Sequence, residues 1–247
     1  MDWLKKATEL KARNQAFVVA SITEIKGSTP REVGSQMLIE ASGSFCGTIG
    51  GGNLEKLVIE KAQELLKTKV SQKVQYPLSS KAEQCCGGWV EIFFSVHCSL
   101  TPLYVFGAGH VGQAVVRVLK DSPFQIHLVD ARVEWLSQIS DSSVVIHTHY
   151  DSLHISENSY VAIMTHSHDL DFEVLKKAIQ AGPKYLGLIG SETKWQRFSE
   201  RLIKENFTKA QIESVWCPFG LPIGGKSPTE VAVSLAAQIL QIHHEAN

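Results

Sequence analysis

Hydrophobic and polar positions follow one pattern before about residue 100 of this 247-residue chain and another pattern after it. In the first part, two stretches with helical spacing, 2–13 and 53–66, are interspersed with strand-like stretches at 16–25, 35–41, 71–78 and 89–96. Helices mixed in this way with strands close in sequence are typical of an α+β unit with antiparallel strands. We therefore predict a smaller α+β domain over residues 1–98.

From residue 101 onward, strand-like and helical segments alternate regularly to the end of the chain. Such alternation predicts a parallel sheet with helices on both faces, and so an α/β, Rossmann-like C-terminal domain over residues 102–247. The last helix carries its own start signal, because Ser227, Pro228 and Glu230 stand at the positions of a capping box. Its apolar stripe should pack on the sheet.

Composition and charge narrow the classes of function. Hydrophobic residues make up 44% and charged residues 20%, and 24 basic residues face 25 acids for a net charge of -1. No basic field attracts nucleic acid or anionic lipid, so we expect neither as a partner. The first residues lack a signal-peptide core and no apolar run is long enough to span a membrane, which favours a cytoplasmic protein. Five cysteines, two of them adjacent, are read as free thiols.

The stretch "VFGAGHVGQ" is the clearest candidate for a ligand loop. Gly107, Gly109 and Gly112 lie between a predicted strand and a predicted helix, whose first N–H groups would form an anion site. Asp130 ends the next strand 18 residues after Gly112, where an acid normally accepts hydrogen bonds from a ribose. Tight packing without a ligand is the alternative.

Three other loops are weaker candidates. The glycine triplet Gly50 to Gly52 precedes a helix and would leave free N–H donors, or it is a plain hairpin turn. Cys85 and Cys86, before Gly87, would present a thiol to a soft metal or are small buried hydrophobes. The segment "MTHSHDLD" would bind a metal through His166, His168 and Asp171, or Asp169 would cap a helix there.

Taken in order, eight motifs resemble the XdhC/CoxI family of xanthine dehydrogenase accessory proteins over nearly the whole chain. They are "GSTPREVGSQMLI", "GTIGGGNLE", "QCCGGWVEI", "VFGAGHVGQAVVRVL", "VDARVEW", "MTHSHDLD", "YLGLIGSETKWQRF" and "LPIGGKSPTEVAVSLAAQIL". The resemblance implies a molybdenum cofactor chaperone rather than an enzyme, with no catalytic residues. Such a protein holds the molybdopterin cofactor while it gains its terminal sulfur and then delivers it to an apo-molybdenum hydroxylase such as xanthine dehydrogenase, an enzyme of purine catabolism.

The resemblance also implies site residues. The family's "GSTPR" falls on Gly27 to Arg31, its glycine triplet on Gly50, Gly51 and Gly52, and its Cys-Gly-Gly on Cys86, Gly87 and Gly88. Cys86 would approach the molybdenum, and Cys85 matches the xanthine dehydrogenase branch. The implied cofactor-binding set in the second domain is Gly107, Gly109, His110, Gly112 and Asp130, with Lys194 and Lys226 as candidate counter-cations. Ser167 departs from the family, where many members carry an acid, and this weakens a metal site.

Two rival functions remain open at this point. The Rossmann-like half would also suit an NAD(P)-dependent oxidoreductase, although no acid or base for hydride chemistry is evident beside it. A redox-sensing module using Cys85 and Cys86 is the third alternative. For the chaperone, the expected partners are the apo-hydroxylase, a cysteine desulfurase as sulfur donor, and a second copy in a homodimer.

Overall fold

The computed structural model describes residues 2–78, 88–151 and 153–245, which fall into two compact units, Met1–Ser99 and Leu100–Asn247. Residues 79–87, which include Cys85, Cys86 and Gly87, lie outside the described residues. Within the described ranges, no helix combines the length and apolar character that a membrane crossing requires.

The first unit is built on a five-stranded antiparallel sheet in the order β3-β2-β1-β5-β4. Its elements are α1 (Trp3–Ala12), β1 (Phe17–Lys26), β2 (Gln36–Glu40), β3 (Phe45–Gly47), α2 (Gly52–Thr68), β4 (Gln72–Pro77) and β5 (Trp89–His97). Helix α2 buries Leu54, Val58, Ala62 and Leu65 on one face of the sheet. Helix α1 buries Ala7 and Leu10 against Phe17, Val19 and Leu38 on the opposite face.

The second unit contains a six-stranded sheet whose strands are all parallel. Its elements are β6 (Thr101–Phe106), α3 (His110–Leu119), β7 (Phe124–Val129), α4 (Val133–Leu136), β8 (Val145–His147), β9 (Tyr160–Ile163), α5 (His168–Ala181), β10 (Tyr185–Leu188), α6 (Glu192–Lys204), α7 (Lys209–Glu213), β11 (Val215–Trp216) and α8 (Pro228–Glu245). The spatial order β8-β7-β6-β9-β10-β11 is the 3-2-1-4-5-6 order of dinucleotide-binding sheets. The order reverses between β6 and β9, and ligands of such sheets bind there, at the carboxyl ends of the strands.

Helices cover both faces of this parallel sheet because its strands are apolar on both sides. Helices α3 and α8 pack with Leu103, Val105 and the other residues of one buried cluster, while α5 and α6 pack with Tyr104, Phe106 and their neighbours in another. The predicted fold class, a Rossmann-like domain preceded by a smaller α+β domain, is thus confirmed.

Local signals at the last helix are also confirmed. The Ser227 hydroxyl accepts the Glu230 N–H at 3.3 Å, and the Glu230 carboxylate accepts the Ser227 N–H at 3.0 Å, which is the reciprocal pattern of a capping box. Leu235 and Ile239 of this helix are fully buried. The short elements β3, α4, α7 and β11 were not predicted, because two to five residues are too few to show a period.

Candidate functional site

The glycine-rich loop after β6 lies at the switch point of the parallel sheet, between the ends of β6 and β9. Gly107 has a positive φ of 114°, and a Cβ built there would stand 2.3 Å from the carbonyl oxygen of Met164, just after β9. A Cβ at Gly112 would stand 1.9 Å from the carbonyl oxygen of Gly107. These two glycines therefore permit the close approach of strand, loop and helix that the fold requires.

Gly109 differs from its two neighbours in the motif, because a Cβ there would meet no atom within 4 Å. Gly109 is the N-cap residue of α3, with φ -67° and ψ -171°, and no side chain at this position accepts a hydrogen bond from the first N–H groups of the helix. Helix α3 has no acidic residue in its first turn, and His110 at its first position is exposed. Its N-terminal N–H groups thus lie beside open space, with no carboxylate of the helix opposing an anion.

Asp130, at the end of β7, is only 7% exposed and its carboxylate is surrounded by hydrogen-bond donors. Oδ2 accepts the Ala108 N–H at 2.8 Å and an Arg132 guanidinium N–H at 2.7 Å. Oδ1 accepts the Arg132 backbone N–H and its Nε–H, each at 3.0 Å. Burial alone would raise the pKa of Asp130, but the bonds from Arg132 and Ala108 outweigh it and lower the pKa. The acid expected to bind a ribose is therefore ionised and already occupied by protein donors.

A narrow crevice opens at the same end of the sheet. Gly107 and Asp130 line one side, and Thr148, Thr165 and His166 belong to the segments that follow β8 and β9. This crevice places the glycine-rich loop and the Asp130 carboxylate in one site.

Lys194 does not reach the glycine-rich loop as a free cation. Its ammonium group is 2.5 Å from the Asp171 carboxylate and donates to the Ile189 carbonyl at 2.8 Å, and the two side chains are 10% and 1% exposed. Asp171 also accepts from the backbone and hydroxyl of Thr165, at 2.9 and 2.7 Å. The structure thus corrects the expectation for Lys194, which ties α6 to α5 and to the end of β9 as part of an internal ion pair. Lys226 is exposed in the segment before α8.

The segment around His166 and His168 does not gather a metal site. Both histidines are exposed, and Asp171 is engaged by Thr165 and Lys194. Within residues 2–78, 88–151 and 153–245, no group of three or more metal-binding side chains is found. The helix cap is Ser167, whose hydroxyl accepts the Leu170 N–H at 3.5 Å, so the capping role expected of Asp169 is wrong.

In the first unit, the glycine triplet before α2 is not the open anion site that its sequence suggests. The Glu55 carboxylate accepts the N–H groups of Ile49 and Gly51 at 3.2 and 3.0 Å, and the Thr48 hydroxyl at 2.6 Å. The Gly50 N–H bonds to Thr48 as well. An acid in the first turn of α2 therefore takes donors that a phosphate would need, and its negative charge opposes an anion.

The family motifs of the first unit nevertheless come together. A Cβ at Gly50 would lie 2.5 Å from Pro30, and one at Gly88 would lie 2.2 Å from the carbonyl oxygen of Lys26. The loop that contains "GSTPR", the glycine triplet and the end of the Cys-Gly-Gly motif are thus neighbours. Arg31 in this group is exposed, and Gly52 begins α2.

Sequence reasoning missed two residues that shape these sites, Arg132 and Glu55. Each had a local signal: Arg132 stands two residues after Asp130, and Glu55 follows the glycine triplet at the first turn of a helix, where acids commonly accept backbone N–H groups.

Comparison with known families gives two matches that together cover most of the chain. The model of the XdhC Rossmann domain matches residues 103–239, and the model of the XdhC and CoxI family matches residues 10–77. The first match alone includes more than half of the chain.

Three relatives are similar in sequence. The uncharacterized protein YqeB of Escherichia coli is 32% identical over 257 residues, covering 100% of this chain and 47% of YqeB. The molybdenum cofactor insertion chaperone PaoD of Escherichia coli is 22% identical over 98% of this chain and 89% of PaoD. A Bacillus subtilis protein, named as a probable subunit of xanthine dehydrogenase, is 26% identical over 56% of this chain and 42% of that protein. The chain thus spans about half the length of the first of these relatives.

A solved structure shares the fold. The crystal structure described as a xanthine dehydrogenase from Bacillus halodurans superposes with a TM-score of 0.55 at 19% identity, covering 100% of this chain and 97% of that one. At this identity the likeness concerns the fold.

Proposed function

Because the chain belongs to the XdhC and CoxI family, we propose that it binds the molybdenum cofactor and delivers it to an apo-molybdenum hydroxylase. The similarity to PaoD, which is named as a molybdenum cofactor insertion chaperone, supports this proposal over nearly the full length of both chains. In its finer form the proposal includes sulfuration of the bound cofactor, with a cysteine desulfurase as donor, xanthine dehydrogenase as recipient and a homodimer as the working form.

The observation that carries the proposal is the open space beside Gly109. The molybdopterin cofactor ends in a phosphate, and a phosphate fits a helix N-terminus with free approach to the backbone and no acid in its first turn. Gly109 and His110 would hold that end of the cofactor through their backbone N–H groups. The bound group itself would supply a molybdenum with soft sulfur ligands, which suit a thiolate. On the family resemblance we propose Cys86 for that role, and Cys86 lies outside the described residues.

The NAD(P)-dependent oxidoreductase remains the second candidate, since the strand order of the second unit is the one found in dinucleotide-binding sheets. The state of Asp130 argues against it. NAD needs an acceptor for its ribose hydroxyls, and both oxygens of this carboxylate already accept two protein donors each. This pairing disfavours NAD but not NADP, whose 2′-phosphate an arginine suits.

Replacing Gly109 tests the phosphate end. Gly109→Val should leave the protein folded, because φ at this residue suits any side chain and an added Cβ would meet no atom within 4 Å. The branched side chain should block the phosphate and lower copurified pterin, measured by fluorescence after oxidation, by at least about tenfold. Ser140→Val, in an exposed loop of the same unit, is the control.

The same preparations are then mixed with apo-xanthine dehydrogenase, and the activity recovered is measured. Cys86→Ser should reduce activation at the metal end while Cys85→Ser retains it, because serine offers no soft thiolate. A folded Gly109→Val protein that carries pterin and activates the recipient as well as wild type would remove the glycine-rich loop from the site.

A further inference from the structure

The Asp130 carboxylate stands where dinucleotide-binding sheets place the acceptor for a ribose diol. It follows the second strand of the 3-2-1-4-5-6 order and lies beside the loop that would hold the phosphate. A carboxylate has about four acceptor positions, and here four N–H groups, three from Arg132 and one from Ala108, use them. A ribose could bind Asp130 only by displacing Arg132.

Arg132 is held firmly in this position. Its backbone N–H and two N–H groups of its guanidinium donate to the same carboxylate. The guanidinium carbon lies 5.4 Å from the ring centre of Trp135. Trp135 in turn contacts His110, the first residue of α3, with ring centres 5.0 Å apart. The arginine is thus part of a cluster that connects the end of β7 to the start of α3, and its side chain is 28% exposed.

We propose that Arg132 is a specificity-determining residue, which closes Asp130 to a ribose diol and excludes ligands that carry a nucleoside with free ribose hydroxyls beside the bound phosphate. With the proposed function, on which this part rests, the inference names the cargo: the molybdopterin cofactor in the form that ends in a phosphate, without an attached nucleotide. Two of the five N–H groups of the Arg132 guanidinium donate to Asp130, and the others remain donors. The end of β7 therefore presents hydrogen-bond donors where a ribose diol requires an acceptor.

The exclusion arises from competition between two kinds of hydrogen bond. In the Arg132–Asp130 bonds both partners are charged, whereas a ribose hydroxyl that displaced Arg132 would bring no charge and would forfeit the attraction between guanidinium and carboxylate. Ribose hydroxyls would also have to break a contact made within a span of two residues, which re-forms at little cost in loop-closure entropy. The pair therefore disfavours a ribose without needing to fill the crevice.

Removing Arg132 should create nucleotide binding, which can be measured as a gain. We would titrate the full chain with NADH, followed by its fluorescence, for wild type, Arg132→Ala and Arg117→Ala. Arg117 is exposed near the end of α3 and lies outside the site, so its variant matches the loss of one positive charge. A second variant, Arg132→Lys, keeps the charge but cannot make the planar, forked contact. A double variant, Asp130→Ala with Arg132→Ala, removes the freed acceptor.

We expect NADH affinity to rise at least about tenfold in Arg132→Ala, less in Arg132→Lys and not at all in Arg117→Ala, and to fall back in the double variant. The inference is overturned if wild type binds NADH with the same affinity as Arg132→Ala. It is also overturned if Arg132→Ala is folded and shows no increase in NADH affinity. If Arg132→Ala fails to fold, the comparison of Arg132→Lys with wild type decides in the same way.

A parallel titration with molybdopterin separates this inference from the proposed function. Failure of wild type to bind either ligand defeats the chaperone proposal and leaves the nucleotide exclusion standing. Binding of both ligands by wild type keeps the chaperone proposal and defeats the exclusion.

Discussion

Substituting alanine at Gly112 should destabilise the protein far more than substituting it at Gly109, although the two glycines belong to one motif. At Gly112 the new Cβ would lie 1.9 Å from the carbonyl oxygen of Gly107. An ordinary contact between carbon and oxygen is about 3.3 Å, so helix and loop would have to separate by about 1.4 Å. The loop has little freedom to do so, because Gly107 is itself packed on Met164 and donates to the Val129 carbonyl at 2.8 Å.

The expected free energies follow from these contacts. Overpacking costs about 1–3 kcal/mol and more where backbone must move, while alanine recovers up to about 1 kcal/mol of helix propensity. We expect a net loss of about 2 kcal/mol or more for Gly112→Ala, which lowers the midpoint of thermal unfolding by about 4–8 °C. Gly109→Ala meets no atom and changes only an N-cap, so its cost should stay near 0.5 kcal/mol, about 1–2 °C.

Thermal unfolding followed by circular dichroism, on both variants and wild type under one set of conditions, measures the difference. Equal midpoints for the two variants would refute the reasoning. That result would mean that α3 does not approach the loop as closely as described, or that the loop yields at no cost.

Two further predictions concern ionisable groups of the second unit, the half-buried His127 and the buried Lys194–Asp171 pair. Burial, and to a smaller extent the nearby His147, lower the pKa of His127 to about 4, whereas a histidine in an unfolded chain has a pKa of about 6.5. As pH falls, the unfolded state therefore takes up a proton before the folded state does. Stability that is present above about pH 6.5 is lost as pH falls toward 4. Urea unfolding at pH 8 and pH 5 should show a loss of less than about 2 kcal/mol, because solvent screens the half-buried ring, and His127→Phe should reduce that loss. Equal pH dependence in wild type and variant would contradict the assignment. Lys194→Met should lower the free energy of unfolding by about 3–5 kcal/mol, because it leaves the Asp171 carboxylate buried without its cation. The control Lys209→Met should cost less than about 1 kcal/mol, because its ion pair with Glu213 is exposed. Similar urea midpoints for the two variants would show that the buried pair is not needed for stability.

The sequence predicted those parts of the structure that depend on local periodicity. The alternation of strands and helices after residue 100 gave the fold class of the second unit, and Ser227 and Glu230 gave the start of α8, because both signals lie within a few residues. Gly107 lies in the turn from strand to helix, as its place in the motif indicates, whereas Gly112 is the third residue of α3. Which atoms the two glycines avoid required the structure, since Met164, the neighbour of Gly107, follows β9 and is distant in sequence.

The candidate site was predicted less well, because its electrostatics depend on which charges find each other. Lys194 looked like a free cation, but its partner Asp171 is 23 residues away and is brought to it by the packing of α5 and α6. The glycine triplet looked like a set of free N–H donors, but Glu55, an acid in the first turn of α2, accepts hydrogen bonds from the N–H groups of Ile49 and Gly51. Residue type therefore identified the candidates, and tertiary pairing decided which of them remain available to a ligand.

The crowding at Gly88 and at Gly190 implies two different kinds of constraint on sequence drift. Main-chain atoms, the carbonyl oxygens of Lys26 and Ser28, surround the position of a Cβ at Gly88, so no substitution elsewhere can make room for one. At Gly190 the nearest atom is the side-chain Cδ of Lys194, at 2.8 Å, which a shorter residue would remove. Glycine at 88 is thus required whatever the background, whereas alanine at 190 becomes tolerable once residue 194 has changed, so the order in which mutations arise matters at one position and not at the other.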